Sequence, residues 1–540
     1  MKKWLTLLAL SAGLITPVQA DTWVNRVQPK TAPANQFSTG ISAAGVPTFS
    51  AIGSGAMPAF TGGDCTTSAG SGAINCPAAT SILKYGADKS GATDSTSAFN
   101  AAKAANPSGG HVWLPCGTYK IGAFTNDVPG LTFEGVNKYC VRIATNQTND
   151  PAWTITAAYA DIYGVTFWPS VRSTQPQIVV TGLAAYWVGM RDVRVLYGGG
   201  IAVVNGSNAA WMDRVEIRNT LGTRGIDYRG TASAQALSLM VRWLVSDQTW
   251  PVAEPAGLLT TWASSKAMAQ GQAIAVNGAF WQAANACTTG SSAPSGMPAG
   301  TTPESVFTYT VADGTCQWYW VSSDSLAMIY NGSYGRSLFV TDSQVLHGAY
   351  GYLAQDLLAD GGSWPEFNRF SNLSIDSAFY VGLLGQAGSD FRITNSFISS
   401  TTNGTNVTFG NSFRGDLTIT GSEIVNACAD GLTITVPIKN FDISGNTIAS
   451  NGKCAGTWSN VAVTAAATYG SITNNKTGIS THAPGLTATA SYGIWLSAAA
   501  SDYLTVTGNS CGGGTAGATL ACFLDQSTGT HNYIPAGANN

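Results

Sequence analysis

The fold is decided by three stretches: Ile393-Thr394-Asn395-Ser396-Phe397-Ile398, Ile419-Thr420-Gly421-Ser422-Glu423-Ile424 and Ile443-Ser444-Gly445-Asn446-Thr447-Ile448. They repeat 26 and then 24 residues apart. A period in the twenties is the length of one solenoid coil. Each stretch places an Ile at both ends and Asn or Gly between them. That is the pattern of two short strands joined at a tight corner, where a left-handed backbone is needed. Asn372, Asn395, Gly421 and Gly445 are the expected corner residues. Upstream, Val193-Arg194-Val195 and Val215-Glu216-Ile217 repeat after 22 residues. No 3.6-residue apolar period runs through this region, which excludes a helical reading.

Composition agrees with this. The chain has 540 residues, 26 Lys+Arg against 29 Asp+Glu, and only 10% charged residues. Globular proteins usually carry about 25%. A coiled coil, a charged helical bundle and a basic nucleic-acid binder are excluded. With 44% hydrophobics the chain is not disordered, and 62 glycines suit a strand-and-turn protein.

Residues 82–122 read ILKYGADKSGATDSTSAFNAAKAANPSGGHVWLPCGTYKIG. Asp94-Ser95-Thr96 is expected to cap a helix over residues 97–105, with Ala98, Phe99 and Ala102 on one face. Residues 107–110 end it, and residues 111–114 alternate as a strand. The stretch contains Tyr85-Gly86-Ala87, then Gly91-Ala92-Thr93-Asp94-Ser95-Thr96, then Gly109-Gly110-His111-Val112-Trp113-Leu114-Pro115-Cys116-Gly117-Thr118-Tyr119. These motifs resemble the start of the pectate-lyase-like superfamily, which includes rhamnogalacturonase-like and epimerase-like domains and many phage tailspikes. The resemblance implies an all-β chain, a right-handed parallel β-helix with a short N-terminal capping helix. It does not imply one reaction, because the fold hosts lyases, hydrolases, epimerases and binders.

The first twenty residues, MKKWLTLLALSAGLITPVQA, have a basic start, a short apolar stretch and small residues at 18 and 20. They read as a secretory signal peptide, cleaved after Ala20. The apolar stretch is too short to span about 30 Å of hydrocarbon, so no membrane association is expected after cleavage. A secreted or periplasmic location follows. Residues 21–80 form an expected arm whose text resembles phage tail-fibre segments, so a virion tail is the alternative location. The solenoid is expected over 81–250 and 337–540, interrupted by a small β module over 251–336. Within that module, Trp281-Gln282, residues 289–294 and residues 313–318 resemble an insert of phage tail proteins, and Trp318 and Trp320 fall on one face, expected to be its core.

All ten cysteines follow the leader. Near neighbours are Cys65 and Cys76, Cys116 and Cys140, Cys287 and Cys316, Cys428 and Cys454, Cys511 and Cys522. Local pairing is the simplest arrangement, though the sequence leaves other connectivities open. No CxxC-type spacing with His points to a metal, and no cofactor is expected.

A parallel β-helix presents outward side chains on rungs about 4.8 Å apart, which suits an extended polysaccharide. Glycosidic hydrolysis usually needs two carboxyls, about 5–5.5 Å apart for retention and about 6.5–9.5 Å for inversion. The densest acidic patch is Asp356, Asp360, Glu366 and Asp376, with Trp364 and Arg369 alongside. Asp376 follows Ile375 and so should point outward. Glu423 stands two rungs away, roughly 10–12 Å, and pairs poorly with it. The catalytic pair is therefore sought among those four acids. The polygalacturonase set is missing: there is no Asp-Asp dipeptide, and His347-Gly348 and Asp430-Gly431 are isolated fragments. A lyase would need a base and a charge neutraliser beside a uronate, which His347, Tyr350 or Tyr352 and Arg369 could supply. The leading expectation is a polysaccharide depolymerase, hydrolytic rather than lytic. The rival is a non-catalytic glycan-binding adhesin or tailspike-like receptor-binding protein. The resemblance to tailspikes also implies a homotrimer, and nothing points to nucleic acid.

Overall fold

The computed structural model describes the strands within residues 36–75 and, from Thr80 to Asn539, all residues except 147–148, 171–172, 249–259, 296–309, 357–363, 400, 402, 455–457, 479–489, 498–500, 512–520 and 536–538. The chain divides into Met1–Ala79 and Thr80–Asn540. In the first unit, Gln36–Ile41 pairs antiparallel with Pro47–Ala51, and Thr66–Thr67 with Ile74–Asn75. The expected leader and Cys65 and Cys76 lie outside the described residues.

The second unit is a parallel β-solenoid of about 14 coils. Each coil contributes to three parallel sheets, faces one, two and three in chain order. Inward residues of face one stack in a single column: Val112, Phe133, Ile162, Met190, Met212, Val241, Val340, Phe370, Ile393, Ile419, Ile443, Ile472 and Val506. All are buried. Ile393, Ile419 and Ile443 of the three repeated stretches are neighbouring members of this column, in the register their spacing gives. The 22-residue repeat is also real, since Arg194 pairs with Glu216 and Val195 with Ile217 on face two.

The corner between faces one and two is built as expected. Asn372, Asn395, Gly421 and Gly445 have φ of 52°, 48°, 60° and 66°, the left-handed region that Asn and Gly tolerate. Just inside this corner runs a buried polar ladder. The Ser422 N–H donates to Asn446 Oδ1 (2.9 Å), and Asn446 N–H and Nδ2 both donate to Asn475 Oδ1 (3.0 Å). Asn475 repeats this on Asn509 (2.9 Å) and donates Nδ2 to the Ile443 carbonyl. Each amide thereby meets the backbone groups that the corner frees, which burial would otherwise make costly.

The N-terminal end is plugged by the helix Thr96–Ala104. Its Ala98, Phe99 and Ala102 are buried, and Asp94 Oδ1 accepts from the Thr96 N–H at 2.7 Å. Phe99 closes the first coils against Tyr119, Phe124, Phe133 and Trp153, with ring centroids 5.6–6.2 Å away. The inserted module is a four-stranded antiparallel sheet of Ala273–Val276, Ala279–Ala283, Thr310–Asp313 and Cys316–Ser323. Trp318 and Trp320, expected on one face, are buried in its core, and Trp281 packs with them. The solenoid resumes at Ala327–Asn331, which pairs with Arg224–Arg229, earlier than the expected boundary at 337. Phe280 stacks on Phe379 of the solenoid at 3.9 Å.

Four disulfides form among the described residues: Cys116–Cys140, Cys287–Cys316, Cys428–Cys454 and Cys511–Cys522. Each joins sequence neighbours. Such bonds persist in oxidising compartments and point to a non-cytoplasmic protein. No described helix is long and apolar enough to cross a membrane.

Candidate functional site

Face one begins each C-terminal coil with one residue in the left-handed region. Phe367, Asp390, Asp416, Asn440, Tyr469 and Tyr503 have φ between 53° and 56°. Each stands three residues ahead of an inward member of the column, from Phe370 to Val506. The paired strands on either side put them in one line along the solenoid. Tyr159, Trp187, Ala209 and Ser337 stand in the same conformation three residues ahead of Ile162, Met190, Met212 and Val340, so it is a repeating corner of the solenoid, and the C-terminal line is distinguished by the side chains it carries.

A shallow cleft of about 480 Å³ lies on this line, bordered by Glu366, Phe367, Ser389, Asp390, Arg392, Asp416, Thr418 and Asn440. Asp390 is held from two sides. Arg369 donates from Nη1 to its carbonyl (2.7 Å) and from Nη2 to its carboxylate, and Arg392 Nε stands 3.6 Å away. Asp416 occupies the next rung, roughly 4.8 Å on. It is exposed and has no ion-pair partner among the described residues. Glu366 faces Arg336 at 3.5 Å on the rim. Exposed Phe367 closes one end of the line, and exposed Tyr469 begins the other. Tyr469 is the first plate of a stack that continues through Tyr503 (5.0 Å) to His531 (4.6 Å). Another hollow, of about 330 Å³ on face three, has Arg224 and Tyr350 in its lining but no carboxyl. The acid-bearing cleft is the better chemical site.

The residues expected from sequence divide among several places. Glu366 borders the cleft, and Arg369 reaches it only through its bonds to Asp390. Trp364, two residues before Glu366, carries the Arg414 guanidinium 3.1 Å from its ring centroid. Asp376 points outward as expected, but at the opposite end of the bent strand Glu366–Asp376, where Ser399 Oγ donates to it at 2.7 Å. It cannot pair with Glu366. His347 lies by Asp376 on face two, its Nδ1 3.0 Å from Asp247 and its N–H bonded to the Asp376 carbonyl. Asp356 accepts from Ser333 Oγ at 3.0 Å after a face-three strand. Asp360 lies outside the described residues. Tyr352 requires a correction: it is fully buried, stacked in register between Ile329 and Leu383, with its hydroxyl donated to Asn368 at 2.8 Å. A side chain enclosed in the solenoid core cannot touch a substrate.

Asp390 and Asp416 were missed. Their signal is present in the sequence, three residues ahead of the aligned Ile393 and Ile419. Extending that alignment N-terminally exposes Asp390, Asp416 and Asn440 as equivalent positions.

Three parallel sheets, one inward column and a helical plug decide the architecture. The chain has a parallel β-helix fold. Among solved structures, tailspike protein 3 of bacteriophage CBA120 aligns over 85% of this chain at 13% identity and a TM-score of 0.52, and the alignment spans 62% of the tailspike chain. The A-module of a mannuronan C-5 epimerase from Azotobacter vinelandii aligns over 85% of this chain and 99% of its own, at 12% identity and a TM-score of 0.40. The catalytic unit of an α-1,3-glucanase from Streptomyces thermodiastaticus covers 86% and 68%, at 16% and 0.36. At these identities the likeness concerns the fold alone. No protein-family model and no curated protein matches the sequence.

Proposed function

We propose that the protein is an exported polysaccharide-degrading enzyme that hydrolyses a glycosidic bond in the face-one cleft. The observation that carries this is Asp390 and Asp416 on adjacent rungs, in a cleft with an exposed aromatic at each end of its line. Their backbone spacing of roughly 4.8 Å matches the ~5–5.5 Å carboxyl separation of retaining glycosidases. Asp416, with no ion-pair partner among the described residues, is the carboxyl assigned to transfer a proton or attack. Asp390, clamped by Arg369 and Arg392, is the fixed charge facing it. Phe367 and Tyr469 offer flat apolar faces to sugar rings. The lyase reading is weaker, because His347 is engaged by Asp247 and Tyr352 is enclosed. Export fits the four disulfides and the leader-like start. The proposed assembly is a homotrimer with its solenoids side by side.

The experiment is incubation of the purified protein with bacterial capsules, exopolysaccharides and pectins. New reducing ends without the ultraviolet absorbance of unsaturated uronates are expected; absorbance would mean a lyase. Asp416→Asn should lower kcat by a factor on the order of 10² to 10⁴ while polymer binding persists. Full activity in that variant removes the site assignment. Binding without any cleavage by the unaltered protein leaves the adhesin reading.

A further inference from the structure

Face one carries an aromatic feature well away from the cleft. Gly189, Trp211, Met240, Phe339 and Arg369 are successive members of one outward column. The last of them, Arg369, bonds Asp390 of the cleft. Gly189 makes the feature possible. A Cβ there would stand 2.3 Å from the Trp211 ring and 2.9 Å from Asp161 Oδ1. Only glycine leaves the space in which the indole lies back over the preceding rung.

Around the indole the polar groups are tightly arranged. The Gly189 N–H and the Tyr163 hydroxyl each donate to the Asp161 carboxyl at 2.5 Å. Burial pushes that carboxyl above its ordinary range, against the opposing effect of these donors. The Tyr163 ring is 6.1 Å from Trp211, and the Arg191 guanidinium lies 4.6 Å over Tyr163. Arg191 is exposed and has no ion-pair partner among the described residues. An aromatic floor, with a carboxyl and an unpaired guanidinium at its edge, is the composition that receives a pyranose ring through stacking and hydroxyl hydrogen bonds.

We infer that Trp211 is a remote sugar-binding platform for the same chain that enters the cleft, which makes the enzyme a reader of long polymers rather than of chain ends. The inference rests on the function proposed above. The occupant is a glycan running along the solenoid axis. Exposed Met240 and Phe339 continue the apolar track from Trp211 without a break, and the column delivers it to Arg369. Four rung steps separate Trp211 from the level of Asp390, roughly 19 Å at the strand spacing. A disaccharide cannot reach both places, whereas a polymer occupies both at once.

The test uses Trp211→Ala in the full chain, with circular dichroism as the folding control. Affinity electrophoresis is run in gels containing pectin, a bacterial capsular polysaccharide or an exopolysaccharide. The platform predicts about tenfold weaker retardation of Trp211→Ala in the gel that retards the unaltered protein, the order of one aromatic contact. Where cleavage occurs, KM for the polymer rises with kcat unchanged, and short oligosaccharides from the same polymer are cleaved as before. Gly189→Ala, which pushes the indole off its floor, should reproduce the effect. Equal retardation and equal polymer KM in Trp211→Ala overturn the platform and leave the cleft standing. If no gel retards the unaltered protein and nothing is cleaved, the proposed function fails, and the platform with it.

Discussion

Asp430 shows how much of a single residue's behaviour is set by its coil. It is buried, accepting from the Ser459 N–H at 2.5 Å and from Thr433 Oγ1 at 3.1 Å. Burial nevertheless pushes its carboxyl above the ordinary value, because desolvation outweighs the two donors. The sign follows by linkage. The folded state holds this proton more tightly than the unfolded chain, so stability falls as pH rises above about 4. Asp430→Asn keeps an oxygen acceptor and removes the charge. Its thermal midpoint should therefore exceed that of the unaltered protein by more at pH 7 than at pH 4. An equal offset at both values would show that the group titrates as an ordinary carboxyl.

At the level of elements, legibility followed periodicity. The inward Ile residues were readable because a regular solenoid repeats them at nearly constant spacing. The corners were readable because only Asn and Gly tolerate the left-handed backbone well. Tyr352 was misread because its strand, Tyr350–Ala354, contains two Tyr and a Gly, and alternation alone does not say which face is inside. His347 finds Asp247 a hundred residues earlier, across the insertion, where no local pattern could link them. Asp390 and Asp416 were missed because they precede the alternating part of each strand, whereas Glu366 was legible as part of an acidic patch. The seat of the antiparallel sheet was not legible. Phe280 and Phe379 lie in different elements and stack at 3.9 Å with an interplanar angle of 11°. Phe280→Ala should destabilise this seat by about 3–5 kcal/mol. Limited proteolysis should then release fragments cut within the insertion, with glycan cleavage intact. Protease resistance equal to that of the unaltered protein would mean that the other contacts, such as Gln248 Nε2 to the Val321 carbonyl at 2.7 Å, suffice to hold the module.

For the whole molecule, the decisive property is that each coil packs on its neighbours only. A compact globule spreads a core defect everywhere, whereas a solenoid confines it, since its stability is close to a sum of coil and interface contributions. This separates the cleft from the Trp211 platform energetically, although one face carries both. Ile443 tests the point. It is fully buried between Ile419 and Ile472, one rung from the Asp416 strand. Ile443→Ala removes apolar volume and should cost about 2–5 kcal/mol locally. Amide exchange should accelerate in the coils of Ile419, Ile443 and Ile472, and those of Phe133, Ile162 and Met190 should keep their protection. Cleavage should suffer with the loosened Asp416 coil, while polymer retardation through Trp211 persists. A uniform loss of protection from end to end would instead show that the coils unfold as one unit, and the two halves of face one would then stand or fall together.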